Sequence, residues 1–285
     1  MRLFREYKKF LKDPVVEEFI DLFLFRPIAF LIVKVIYRLP VTPNQLSLVS
    51  MFSGIGSGIC FAVGTQSSFL IAGILYGFTR VMDCSDGTLA RMNNSGTLTG
   101  RIVDGTIDYV NGATVYAGLL IGLLKGGFVL PVSPLLLVIP AALFMGLHSM
   151  TIDYYRMAFL SYGLGKVNSP KADYEMFSTE FEKLKNQKGK SIDKFLIRIY
   201  LSYLKTQLKK IPADKNYDQQ SYYQANKILL RLWTILGSST YIFMIMISSV
   251  IGKPILFFFY SFFIANFCLI ILLIIQIHTN KKLAK

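Results

Sequence analysis

Residues 83–91 read Asp83-Cys84-Ser85-Asp86-Gly87-Thr88-Leu89-Ala90-Arg91, and the segment runs on through Gly100 and Asp104 to Asp108. An ionised carboxylate is costly in or near hydrocarbon. Four of them in one apolar part of the chain therefore require cations or protons, and imply a function. Residues three or four apart share a helix face, which pairs Asp83 with Asp86 and Asp104 with Asp108. Two such pairs on neighbouring helices make an all-oxygen cage of the kind that helical bundles use for dinuclear metal sites. With no His or Cys at ligand spacing, hard oxygens favour Mg²⁺ or Mn²⁺. Cys84 points off the Asp83/Asp86 face and reads as a small buried residue.

The rest of the chain reads as a membrane protein. It is 53% apolar yet carries a formal net charge of +14, the combination expected of hydrophobic spans with basic cytoplasmic edges rather than of a nucleic-acid binder. About 20 apolar residues in helix cross a hydrocarbon core of about 30 Å. Six stretches meet that length, at about 45–63, 69–90, 99–124, 128–155, 232–252 and 254–279. No charged residue occurs from Leu39 to Thr79, and Gly64-Thr65-Gln66-Ser67-Ser68 divides that run in two. Gly54, Gly56 and Gly58 read as permitting close helix packing. His148 reads as a packed or helix-bridging residue. The three cysteines suggest no disulfide framework, and Met1 to Asp13 does not read as a cleavable signal.

Basic residues set the expected orientation. Arg2, Arg5, Lys8, Lys9 and Lys12 precede the first span, Arg91 and Arg101 lie between the second and third, and a dense group from Lys166 to Arg231 separates the fourth and fifth. Lys281, Lys282 and Lys285 close the chain, whereas the opposite loops hold only Lys125 and Lys253. Both termini and the aspartate cluster then face the cytoplasm. Residues 19–37 are apolar but interrupted by Asp21, Arg26, Pro27 and Lys34, and read as a helix lying in the interface. The expected fold is thus an all-α integral membrane protein of six transmembrane helices with an N-terminal interfacial amphipathic helix. Its parts are an arm over 1–40, four spans with the aspartate motif over 41–162, a basic cytoplasmic loop with an amphipathic stretch at 191–210 over 163–226, and two spans over 227–285.

The spacing D-x2-D-G-x2-A-R-x8-G-x3-D-x3-D resembles the signature of the CDP-alcohol phosphotransferase family. The resemblance implies six transmembrane helices, a homodimer, two divalent cations, a CDP-linked donor and an alcohol acceptor. It further implies that Asp83, Asp86, Asp104 and Asp108 bind metal, with Asp108 as general base. Asp86, Gly87, Ala90 and Arg91 would contact the cytidine diphosphate. Gly100, and Thr97, which falls where many relatives carry a Ser or Thr, would lie near the nucleotide, with Ser95 and Thr99 as candidate helix caps. Thr42-Pro43-Asn44-Gln45 resembles the Pro-Asn pair of many members, which brings Asn44 toward the nucleotide, although Pro43 and Asn44 also make a good helix start.

The implied reaction moves a substituted phosphate from the CDP-linked donor to an alcohol, with release of CMP. CDP-diacylglycerol with a polyol or polyol phosphate is favoured, and transfer of a CDP-linked headgroup of choline, ethanolamine or inositol type is the alternative. Tyr155-Arg156-Met157-Ala158 resembles an ending found in relatives that bind a phosphorylated polyol, which makes Arg156 an acceptor-site candidate or a snorkelling arginine. Two departures bear on substrate: Tyr109 follows Asp108 where many members have Arg, and 104–108 reads D-G-T-I-D rather than D-H-G-C-D. A membrane prenyltransferase would lack the Gly-x2-Ala-Arg element, and a transporter would be expected to show broken helices and inverted halves.

Overall fold

A computed structural model describes residues 7, 11, 14–165, 170–185, 190–208 and 217–283, and all the regular structure among them is helical. Most of the basic residues invoked above ahead of the first span, together with Lys166, Lys209, Lys210 and Lys285, lie outside the described residues. A π-helical turn, Asp21–Phe25, leads into α1, Arg26–Ile36. Then come α2 (Pro43–Val63), α3 (Gln66–Met92), α4 (Leu98–Leu124) and α5 (Pro134–Ala158), the last prolonged by a π-helical turn at Phe159–Gly163. Next are α6 (Pro170–Lys185), α7 (Ser191–Leu208), α8 (Gln219–Trp233) and α9 (Ser238–Val250). The final pair is α10 (Ile255–Phe259) and α11 (Ala265–Leu283), joined by a π-helical turn at Tyr260–Ile264.

Among the described residues, five stretches are long and apolar enough to cross a bilayer: Pro43–Val63, Leu98–Leu124, Pro134–Gly163, Gln219–Val250 and Ile255–Leu283. The chain has the helices of a membrane protein. At 27 residues α3 is as long as α4, but Arg80, Asp83, Asp86 and Arg91 dilute its apolar character. Two boundaries differ from the sequence reading. The fourth span begins at Pro134 rather than near Phe128, because Gly126, at φ 80°, and Gly127 form a turn and Pro134 occupies the first helical turn. The fifth helical run begins at Gln219 rather than Leu232, because the Asp218 carboxylate accepts from the Ser221 amide at 2.8 Å and caps a new helix there.

Helix α2 is the spine of the first bundle. It packs against both α3 and α4, which share no extended contact of their own. Small residues make that possible. A Cβ on Gly58 would stand 2.4 Å from the Thr114 carbonyl oxygen, and one on Gly118 would stand 2.0 Å from the Gly58 carbonyl oxygen, so α2 and α4 meet backbone to backbone. Gly54 makes room for the Asn111 side chain, whereas Gly56 has only the Leu75 side chain nearby, at 3.9 Å. On the other side Ser50 and Ser57 donate to the carbonyls of Thr79 and Ala72 in α3. Thr42 and Gln45 form a reciprocal capping box at the start of α2. Gly64, at φ 87°, ends it, and the Lys125 ammonium donates to the Ala62 carbonyl at 2.6 Å.

The segment before α1 is not a detached arm. Glu17 pairs with Arg26 at 2.8 Å; burial pulls the Arg26 guanidinium down, but Glu17 and the other acidic neighbours together leave its pKa raised. The Glu18 carboxylate accepts from the Ser239 amide at 2.8 Å, at the N-terminus of α9, where backbone amides favour a negative group. Phe25, Ala29, Phe30 and Val33 are buried, and α1 packs on α3. Between the fourth and fifth spans, α6 and α7 form a hairpin around Phe177, Leu184, Ile197 and Leu204 that rests on Leu98 and Ile102 of α4.

Placing a side chain at Gly118 forces α2 and α4 apart. Gly118→Leu is expected to cost about 1–3 kcal/mol or more, seen as a lowered Tm of the detergent-solubilised protein. Gly112→Ala on the same helix, where a Cβ meets nothing within 4 Å, is expected to leave Tm unchanged or raised. Equal effects of the two would contradict this packing.

Candidate metal and nucleotide site

The carboxylates converge across α2. Asp83 and Asp86, one turn apart on α3, and Asp104 on α4 each offer an oxygen within 4.8 Å of the others. Asp108 stands one further turn along α4, exposed and outside that group. Because α2 stands between the two helices, the carboxylates converge beside its start. Ser47, buried on α2, donates to Oδ2 of Asp86 through a short hydrogen bond. All the converging donors are hard oxygens. This set fits divalent cations of the Mg²⁺ type and offers nothing to a soft metal.

Asp83 is held from behind. The Arg80 Nη1 donates to Asp83 Oδ2 at 2.6 Å, and the same guanidinium places Nε at 3.1 Å and Nη2 at 2.5 Å from the two oxygens of Asp21. Arg80 is thus a buried bridge between the segment preceding α1 and the aspartate cluster. Neither Arg80 nor Ser47 stood out in the sequence. Arg80 did carry a signal, as the one cation following a long uncharged run and three residues from Asp83. Asp21 reads from sequence as a helix-interface acid, whereas its side chain is buried against α3.

Other expected residues sit as follows. Thr97 caps α4, its hydroxyl accepting from the Gly100 amide at 3.0 Å, so the cap is Thr97 itself rather than Ser95 or Thr99. A Cβ on Gly100 would come within 2.9 Å of that hydroxyl, which gives this glycine a local reason. Gly87 leaves room for the Arg91 guanidinium, whose Nη1 would stand 3.3 Å from an added Cβ, and Arg91 Nη2 donates to Thr88. Ala90 is half-buried on α3 beside Arg91, and Asn44 is exposed in the first turn of α2. Arg156, on α5, is bound at 2.8 Å by Asp153 and at 3.5 Å by Glu18. His148 bridges helices as expected, its Nδ1 at 2.8 Å from the Tyr241 hydroxyl.

A family model described as CDP-alcohol phosphatidyltransferase matches residues 40–172. Just under half of the chain is thus similar to a CDP-alcohol phosphatidyltransferase domain. The matched segment contains the four aspartates, Ser47, Arg80 and Arg156, and excludes Glu17, Glu18 and Asp21. The family uses divalent metal ions, a CDP-linked lipid donor and an alcohol acceptor. Over 88 residues the chain is 33% identical to the phosphatidylinositol phosphate synthase of Corynebacterium glutamicum, a match covering 31% of this chain and 39% of that protein. It is 30% identical over 89 residues to the archaetidylinositol phosphate synthase of Pyrococcus horikoshii, covering 31% and 46% of the two chains. It is 40% identical over 74 residues to the bifunctional IPC transferase and DIPP synthase of Thermococcus kodakarensis, covering 26% and 16%. The matches therefore span less than half of each relative.

Ser47 reaches Asp86 from α2 through its hydroxyl, and removing it strips the carboxylate of that donor. Ser47→Ala is expected to cost about 1.5–3 kcal/mol, measured as a fall in Tm of the purified protein in a metal chelator. An unchanged Tm would show that the bond does not hold the start of α2 to α3.

Proposed function

We propose that the protein is an integral membrane transferase that moves a phosphatidyl group from CDP-diacylglycerol to the hydroxyl of a polyol phosphate and releases CMP. The observation that carries this reading is the convergence of Asp83, Asp86 and Asp104 within 4.8 Å, at the family's motif spacing and inside the matched segment. The names of two relatives, both inositol phosphate synthases, support the acceptor class. In this reading α3 is a sixth span, both termini and the site face the cytoplasm, and the protein works as a homodimer. Arg91 and Arg101, beside the turn between α3 and α4, and Lys281 and Lys282 near the end of α11 support that orientation.

Asp83, Asp86, Asp104 and Asp108 would hold two divalent cations, Mg²⁺ or Mn²⁺. Such ions, when bound, neutralise the diphosphate and clamp the attacking and leaving oxygens. The chain's own residues do the rest. Gly87, Ala90 and Arg91 flank the diphosphate, with Thr97, Gly100 and Asn44 toward the nucleotide. Asp108, exposed and one turn beyond Asp104, takes the proton of the acceptor hydroxyl as the oxygen attacks phosphorus, because an alcohol is a poor nucleophile at neutral pH. Arg156 is the acceptor-phosphate candidate. Asp153 and Glu18 already answer its charge, so an incoming phosphate takes the place of one of them at the guanidinium.

Incubation of the purified protein with CDP-diacylglycerol, Mg²⁺ and a panel of polyols and polyol phosphates is expected to release CMP with a phosphorylated acceptor. Release only with a diacylglycerol acceptor and a CDP-linked headgroup would overturn the substrate assignment. Asp104→Ala should abolish turnover. Asp108→Asn should lower it about 10²–10⁴-fold while CDP still binds, whereas loss of CDP binding would make Asp108 chiefly a ligand.

Arg156→Lys keeps the charge but not the planar fork. It is expected to raise the Michaelis constant for the acceptor far more than that for the donor. Equal shifts in both would assign Arg156 to holding Glu18 and Asp153 in place.

A further inference from the structure

We infer that Arg80 and Asp21 form a positioning pair for the metal cage, so that the segment preceding α1, outside the matched domain, completes the site. The inference rests on the metal-dependent reading above. Two features of the geometry carry it. First, Arg80 engages one oxygen of Asp83, at 2.6 Å from Oδ2, which fixes the carboxylate on α3 without occupying both of its oxygens. Secondly, the other two donors of the same guanidinium go to both oxygens of Asp21, at 3.1 and 2.5 Å. All three donors leave a rigid planar fork, which a lysine ammonium cannot reproduce.

The charge arithmetic gives Asp21 its role. An arginine lying alone against Asp83 would cancel one of the cage's negative charges and compete with a cation for that carboxylate. Asp21 supplies the balancing charge from outside the cage. Arg80 and Asp21 together are neutral, so the pair orients Asp83 without adding net positive charge to the cage. Both partners are enclosed: Asp21 is 2% exposed, and the Arg80 side chain 14%. At such burial neither charge is stable without the other, because a lone buried ion costs several kcal/mol. The segment that carries Asp21 is itself fastened at two neighbouring residues, Glu17 to Arg26 and Glu18 to Arg156 and the start of α9. Docking of that segment therefore sets where Asp83 points.

Carboxylate ligands depend on the groups that orient them, and removing such a group costs about 10–100-fold in metal affinity. The test is titration of the full chain in detergent with Mn²⁺ alone, followed calorimetrically, alongside Tm in a chelator. Asp21→Asn is expected to raise the Mn²⁺ half-saturation at least about 10-fold, as is Arg80→Lys, while Asp21→Glu restores it in part. Glu17→Gln, an acid-to-amide change in the same segment that leaves Arg80 untouched, is the control. It is expected to lower Tm with little change in Mn²⁺ affinity. An unchanged Mn²⁺ half-saturation in Asp21→Asn, or equal shifts in it and in Glu17→Gln, would overturn the inference and leave Arg80 a structural bridge. Should Asp21→Asn fail to fold, Arg80→Lys decides on the same readout. Absence of Mn²⁺ binding by the unaltered protein would instead sink the metal-dependent reading, and this inference with it.

Discussion

Carboxylates that converge within 4.8 Å repel one another, and the remainder of this fold is arranged around that repulsion. Every other buried acid on the same side of the molecule has its own arginine or helix end: Glu17 has Arg26, Glu18 has Arg156 and the start of α9, and Asp21 has Arg80. Burial of an unpaired ion is costly enough to enforce such pairing. The converging group differs, since three of its carboxylates each offer an oxygen within 4.8 Å of the others, and divalent cations are the natural complement of such a group.

Holding that charge in place requires the helices to be set precisely, and α2 does this from between α3 and α4. Its glycine face lets α4 approach backbone to backbone, while its serines fasten α3 through Ser50 and Ser57. Ser47 extends the same serine face to Asp86 itself. The carboxylates thus meet between two helices that scarcely touch. The α6–α7 hairpin rests on Leu98 and Ile102, within two turns of Asp104, and Arg101 lies 5.7 Å from the Phe177 ring centroid. The first turn of α4 is therefore packed against that hairpin.

Much of the site was legible in the chain because helical periodicity is local. Asp83 with Asp86, the spacing to Asp104 and Asp108, and the small residues at Gly54 and Gly58 all follow from which residues share a helix face. Long-range pairing is not written in that periodicity. Arg80, alone after an uncharged run, announces that a partner exists, yet nothing nearby says that it is Asp21, 59 positions earlier. Ser47 is invisible for the same reason, being one of many serines in α2. The α6–α7 pair reads from sequence as part of a basic loop with one amphipathic stretch, since only the docked pair buries Phe177 and Ile197. Thr97, which the motif brings toward the nucleotide, also caps α4 through its hydroxyl, and a threonine at a helix start serves either purpose.

In the proposed function two cations share one carboxylate cage. Electron paramagnetic resonance of Mn²⁺ bound to the purified protein in the presence of CDP tests that directly. A spin-coupled signal from two Mn²⁺ per chain, lost in Asp104→Ala, is the result predicted. An uncoupled six-line signal from a single bound Mn²⁺ that persists in Asp104→Ala would contradict it.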